Sequence, residues 1–421
     1  MLPLNAVEPQ PCDQLGPILH GQILSNIAAP KDPANLWQTV SGAVALTPQD
    51  AAAGAIAESL ERLAAAQTAV PLQSRAQITD AMRLDESAFA LFSDAQRAQS
   101  GFPWPLHTAA DDLYAPVFHL THNQVRWVPQ ELIGLGPRTG QARMPSTSSG
   151  LAAWRDQAGG PWLAVLRATQ ELLERDALTC TWLNGLGGRS LTLPDAWTAY
   201  AAARGGELQA FDLTQAWNPH KVVAVAGGLP YEGRARFVLG IACRSSLGAA
   251  LHKALLEWAQ SLTFAAHLAK HDEDLPHQAA ELRRFDQHAV FYTLRPDLWH
   301  QTALIAHASP DDPGHAANDA SPQAVQAHPD TTQAHQAQEQ LHAVQAALAQ
   351  QDIDLYYREL TTADVARTGL RVMRVLSPQL SGLHADERAP FLGGRCADIQ
   401  WRYPGCTRHT PFPNPLPHPL G

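Results

Sequence analysis

Two stretches 113 residues apart, Ala55-Ile-Ala-Glu58-Ser-Leu-Glu61-Arg62 and Ala168-Thr-Gln-Glu171-Leu-Leu-Glu174-Arg175, share the pattern AxxExxER. Residues three apart lie on one helical face, so each stretch presents two carboxylates side by side with an arginine next to them. Residues 51–66 contain eight alanines, and their only polar side chains are Glu58, Ser59, Glu61 and Arg62. Such a helix has no broad solvated face on which to place its charges, and carboxylates that turn inward need partners. A third apolar stretch carries Glu257-Trp-Ala-Gln260, with the same spacing and an amide oxygen in second place. Three such helices are expected to bring together six oxygen ligands, Glu58, Glu61, Glu171, Glu174, Glu257 and Gln260. That number and type suit magnesium. The bland alternative is that ExxER marks an ordinary wet helix face.

Several function classes are excluded. The chain has 421 residues with 30 Lys+Arg against 40 Asp+Glu, a formal charge of -10. That balance disfavours binding to nucleic acid or to an anionic membrane. The opening MLPLNAVEPQPCDQ has no basic or apolar signal region, and no run approaches a membrane span, so a cytoplasmic location is expected. Five cysteines without a CxxC make a poor disulfide framework. None of the four lysines follows a glycine, which removes a P-loop, and GxSxG and HExxH are missing.

Along the chain, Thr47-Pro48-Gln49-Asp50 reads as a helix cap with proline at the first helical position, opening a helix over AAAGAIAESLERLAAAQ. Residues 117–129 predict two strands around a His122-Asn123 turn, and a second helix follows Gly160-Pro161. Lys221–Ala226 and Arg236–Cys243, separated by GGLPYEG, predict an antiparallel hairpin, which argues against a doubly wound parallel sheet. Ser245 or Ser246 caps a third long helix. Residues 307–337 are poor in large apolar side chains and read as a low-complexity insertion, with a helix near 338–350 and strands at Asp354–Glu359 and Arg371–Leu376. In TPFPNPLPHPLG, prolines on alternate positions impose an extended polyproline II tail over 410–421.

With these motifs the sequence resembles the YcaO superfamily, and within it the ATP-dependent azoline-forming cyclodehydratases of ribosomally made, modified peptides. The resemblance rests on LTPQDAAAGAIAESLER, WVPQEL followed by STSSGLAA, ATQELLERDA, ALLEWAQS, RVMRVLSPQLSGL and the ending PNPLPHPLG, from about Ser41 to Gly421. It implies a mixed α+β fold of ATP-binding type over 41–421, preceded by an N-terminal segment 1–40. It also implies that the two ExxER helices and the ExxQ helix hold magnesium and the ATP phosphates. Arg62, Arg175, Ser148 and Ser149 would contact the nucleotide, and Pro411, Pro413, Pro415 and Pro417 would lie near the active site. The implied reaction activates a backbone amide with ATP and closes a thiazoline or oxazoline ring on Cys, Ser or Thr. Implied partners are a precursor peptide and a separate leader-peptide-binding protein; a homodimer is left open.

The chain departs from that pattern at three places. Ala43-Val44-Ala45 stands where relatives often have Gly-Lys-Gly, Leu163 where an acid is expected, and Leu262 where an arginine is expected. Two alternatives follow: a scaffold that binds peptide or partner without turning over ATP, and a different chemistry such as thioamide formation or assistance to ribosomal-protein methylthiolation. Cys396, Cys406 and His409 lack a fourth ligand for zinc.

Overall fold

The capping signal at Thr47 is used as written. Its side chain accepts from the Asp50 amide at 3.1 Å, Pro48 takes the first position, and helix α1 spans Pro48–Gln67. The Asp50 carboxylate accepts the Thr47 hydroxyl proton at 2.8 Å, so the acid and the cap satisfy each other. At the other end the Thr68 hydroxyl donates to the Ala64 carbonyl at 2.7 Å. The structure, a computed structural model, describes residues 19–25, 40–106, 108–135, 144–145, 150–155, 160–230, 233–271, 275–310 and 330–421.

Three antiparallel sheets organise the described residues. β1 (His20–Ser25) pairs with β2 (Val40–Ala45), so this ladder runs across the boundary placed at residue 41 from sequence. The second sheet is built from β3 (Gln73–Ser74), β4 (Leu113–His119), β11 (Tyr356–Glu359), β12 (Leu370–Leu376) and β6 (Leu151–Arg155), in that order, with β5 (Val125–Pro129) also paired to β4. Asn123, at φ 52°, makes the left-handed turn between β4 and β5. The third sheet has the order β10 (Phe237–Arg244), β9 (Lys221–Gly228), β8 (Glu207–Asp212), β7 (Arg189–Leu191). The expected hairpin is its β9–β10 pair. The fold is mixed α+β.

Five helices of ten or more residues are described: α1, α2 (Gly160–Leu183), α3 (Leu247–His271), α4 (Phe285–Leu294) and α5 (Asp330–Ala349). Ser246 caps α3 by accepting from the Ala249 amide at 3.3 Å. Helix α5 begins at Asp330, inside the stretch read as an insertion; residues 311–329 of that stretch lie outside the described residues. Its buried stripe of Ala337, Leu341, Val344 and Leu348 follows helical spacing, and packing on α2 extends the helix beyond what its polar first turns suggest.

The carboxylate helices stand where the sheets meet. α1 lies on β1–β2 and reaches β6 and β12; α2 packs on β6, β12 and β10; α3 packs on β9, β10 and β2. Two glycines permit the closest approaches. A Cβ on Gly240 would come within 2.0 Å of the Trp258 amide, and one on Gly54 within 2.8 Å of the Ala43 Cβ. α3 therefore rests its backbone on β10, and α1 rests on β2. Helix α2 is nearly all interior: Thr169, Gln170 and Asp176 are each 0% exposed. Among the described residues no helix is long and apolar enough to cross a membrane.

Candidate active site

Helix α1 inverts the usual pattern of a surface helix. Ile56 is 40% exposed, while Glu58, Glu61 and Arg62 turn into the interior between sheets. Each carboxylate of the two ExxER helices is then tied to a main-chain amide of a neighbouring strand. Glu58 Oε2 accepts from Gly42 of β2 at 2.8 Å, and Glu61 accepts from the Ala153 amide of β6. Glu171 Oε2 accepts from Leu151 of β6 at 2.9 Å, and Glu174 Oε2 from Cys243 of β10 at 3.2 Å. These amides satisfy the buried charges and fix the direction of each carboxyl group.

The sequence echo is also an echo of contacts. Arg62 pairs with Glu58 at 2.5 Å and Arg175 with Glu171 at 3.4 Å, both one helical turn apart; Arg175 also lies 3.9 Å from Glu174. On α3, Glu257 forms an ion pair with Lys253, and Gln260 follows one turn later, half-buried. Lys253 was missed from sequence, although its spacing of four from Glu257 was a readable signal.

The acids act on one another across the three helices. Burial raises the Glu61 carboxyl well above its ordinary range, and the charges of Glu171 and Glu58 raise it further. Burial pushes Glu174 up to about 7 against the pull of Arg175, with Glu171 and Glu257 adding to the push. Glu58 is raised by burial, which outweighs Arg62 and the Gly42 amide, and Glu257 adds to that. Burial would also raise Glu257, but Lys253 outweighs it and holds the group below its ordinary value.

Among the described residues, no three His, Cys, Asp or Glu side chains converge closely enough to hold a metal ion as they stand. The reason is local: each ExxER carboxylate gives an oxygen to a strand amide, while the basic side chains supply the neutralising charge. The donor chemistry nonetheless fits a hard divalent cation, because oxygen ligands from three helices press like charges together in a buried space. Arg175 adds the complementary demand. Its Nε and Nη1 are buried and have no hydrogen-bond partner, an arrangement suited to an anion such as phosphate. Magnesium would be held by Glu58, Glu61, Glu171, Glu174, Glu257 and Gln260, with Arg175 facing the phosphate it carries.

The departures from the resemblance point inward. Val44, Leu163 and Leu262 are 6%, 7% and 0% exposed and belong to the apolar core clusters. Ser148 and Ser149 lie outside the described residues. Cys396 is fully buried with its sulfur 4.0 Å from that of Cys180, and among the described residues the two belong to no group of three metal-binding side chains.

The proline tail lies along the C-terminal half of α2. Pro411, Pro413 and Pro415 are exposed and Pro417 is buried. A polyproline chain has no internal hydrogen bonds, so its carbonyls need outside donors. Trp182 donates to the Leu416 carbonyl at 2.7 Å, the Tyr292 hydroxyl to Pro417 at 2.8 Å, and His288 Nδ1 lies 3.1 Å from the His418 carbonyl. The His418 ring stacks on His288 with centroids 4.1 Å apart. Burial keeps His418 from charging, the neighbouring His288 and His384 add to this, and the charge of Arg175 also reaches it.

Sequence reasoning also missed Asp176 and Arg402, which form a fully buried pair at 2.7 Å. Asp176 further accepts from the Ser381 amide at 2.9 Å and from Gln215 at 3.0 Å, joining α2 to the C-terminal segment.

Comparison with known proteins agrees with the fold. The profile of the family described as YcaO cyclodehydratase, ATP- and Mg2+-binding, matches residues 43–381. A search of curated proteins finds no match. A solved heterocyclase in complex with substrate and cofactor is similar, with a TM-score of 0.71 at 19% identity over 98% of this chain and 55% of that one. The E. coli microcin synthetase McbBCD complex gives 0.59 at 15% identity, covering 89% and 87%. YcaO from Methanopyrus kandleri bound with AMPPCP and Mg2+ gives 0.57 at 14% identity, covering 86% and 83%. The chain spans about half the length of the first of these. By its sequence profile, this chain belongs to the YcaO cyclodehydratase family.

Proposed function

We propose that the chain is an ATP-dependent cyclodehydratase that forms thiazoline or oxazoline rings in a ribosomally made precursor peptide. The observation that carries this reading is the group of mutually repelling, strand-anchored carboxylates on α1, α2 and α3, with the bare guanidinium nitrogens of Arg175 among them. Opposite demands for a cation and an anion in one buried space match a metal-bound polyphosphate. When bound, magnesium would neutralise charge on the phosphates and orient them.

In the reaction, the thiol or hydroxyl of a Cys, Ser or Thr adds to the preceding carbonyl. The former amide oxygen takes the γ-phosphoryl group of ATP and leaves as phosphate. The nitrogen lone pair closes the C=N bond and its proton is released. The contribution of the chain is positioning: strand amides hold the acids, and Arg175 donates to phosphate oxygens. A heterocyclase with substrate bound, and a microcin synthetase complex with pro-MccB17 bound, are among the similar structures. They support a peptide substrate and separate partner proteins here.

Calorimetric titration with ATP tests the reading, with and without magnesium. Magnesium-dependent micromolar binding is expected, together with loss of ring formation in Glu58→Gln and Glu171→Gln at retained fold. Full activity in both variants refutes it. The apolar, core-packed Val44, Leu163 and Leu262 favour one other reading, a peptide-binding scaffold. Peptide binding with no nucleotide binding would decide for it.

A further inference from the structure

Resting on the functional reading above, we propose that Arg167 and Arg244, with the His220 imidazole linked to Arg167 through Gln170, form the seat for the nucleotide's phosphates in this chain. Arg167 lies on α2 one turn before Glu171, and Arg244 is the last residue of β10. Among the described residues neither guanidinium meets a carboxylate at ion-pair distance. Arg167 Nη1 donates to Gln170 Oε1 at 2.7 Å, and Arg244 Nη1 donates to the Cys243 carbonyl at 2.7 Å. The Arg167 guanidinium also lies 5.6 Å from the centre of the Trp154 ring.

The hydrogen bonds settle the state of the histidine. Because Gln170 Oε1 accepts from Arg167, the Gln170 amide nitrogen donates to His220 Nδ1 at 3.1 Å. The His220 proton therefore sits on Nε2, which is left as a neutral donor. His220 is 4% exposed. Burial and the two arginines hold its charging down to about 4, and burial with the charge of Arg244 brings Arg167 down to about 9.

Two partly buried cations that repel each other, neither in an ion pair among the described residues, are unfavourable unless an anion joins them. Arg244 adjoins the carboxylates of the candidate site. The charge of Arg244 acts on both Glu174 and Glu257, and the amide of Cys243, the residue before it, is the one that holds Glu174. Positions 44 and 262, where the resemblance looks for basic side chains, carry core-packed Val44 and Leu262. Cations for the phosphates then have to come from elsewhere in the chain. The guanidinium forks of Arg167 and Arg244, on adjacent elements, have the geometry to bind phosphate oxygens in pairs.

The full chain and its Arg167→Gln and Arg244→Gln variants are titrated with magnesium and ATP, and separately with AMP. Each variant is expected to lose about tenfold or more in ATP affinity and distinctly less in AMP affinity. Arg244→Lys should recover part of the loss. Without nucleotide, the thermal midpoints of both Gln variants should equal or exceed that of the parent, because a repulsion has been removed; a merely structural arginine would lower them. Unchanged ATP affinity in both variants, with the parent binding normally, overturns the proposal and leaves the functional reading standing. A parent that binds no nucleotide overturns both.

Discussion

Glu174→Gln separates what the carboxylate cluster does for stability from what it does for function. Burial and the neighbouring acids raise Glu174 from the ordinary carboxyl value to about 7, and only 8% of the residue is exposed. A group raised on folding stabilises the native state fully below its unfolded pKa, and that contribution is lost as pH rises through the folded value. At about 1.4 kcal/mol per pH unit, the displacement corresponds to about 3 kcal/mol lost between pH 4.5 and 7, with a plateau above. Glutamine keeps the shape and can still accept the Cys243 amide, but it carries no charge. In the ligand-free protein the substitution should therefore raise the thermal midpoint at pH 8 by about 3 °C for a chain of this size, with little change at pH 5. Magnesium plus ATP should raise the midpoint of the parent chain and fail to do so in the variant. Scanning calorimetry at the two pH values reads both effects. A variant less stable than the parent at pH 8, or equally stabilised by magnesium and ATP, refutes the reasoning.

Three further outcomes follow from the packing. Asp176→Ala leaves the Arg402 guanidinium buried and unpaired, and should cost about 3–5 kcal/mol in chemical denaturation. Tyr292→Phe removes the donor to the Pro417 carbonyl; a loss of about 1–2 kcal/mol and faster proteolysis of the proline tail are expected, both readable by timed digestion and denaturant titration. Gly240→Ala puts a methyl group into the Trp258 backbone, so α3 must move off β10; a loss of about 1–3 kcal/mol should come with weaker magnesium binding, because Glu257 moves with the helix.

The carboxylates were legible in the sequence because charge within an alanine-rich, otherwise apolar helix has few places to go. The capping of α1 and the β9–β10 hairpin were legible too, since each depends on local chemistry: a threonine before a proline, and a glycine-rich turn between β-formers. What escaped depends on residues distant in the chain. Nothing in ExxER tells that Glu58 will take its amide from Gly42 and Glu174 from Cys243, because strand register sets those partners. The side chains that meet the tail's carbonyls, Trp182, Tyr292 and His288, come from two helices separated by a whole sheet. Arg167 and Arg244 were passed over because what marks them is a missing partner, which only the assembled fold reveals. The start of α5 was placed too late because its buried stripe gains its meaning from α2.

Strand β6, which supplies the amides for Glu61 and Glu171, has one neighbour in its sheet among the described residues, β12, with Leu151 paired to Arg374. This ladder joins segments far apart in the chain. A fragment ending before Leu370 would contain all six proposed magnesium-facing residues and still lack the strand that pairs with β6. The proposed binding centre thus depends on a long-range pairing, and two separately expressed halves that regain β6–β12 contact should regain the centre with it.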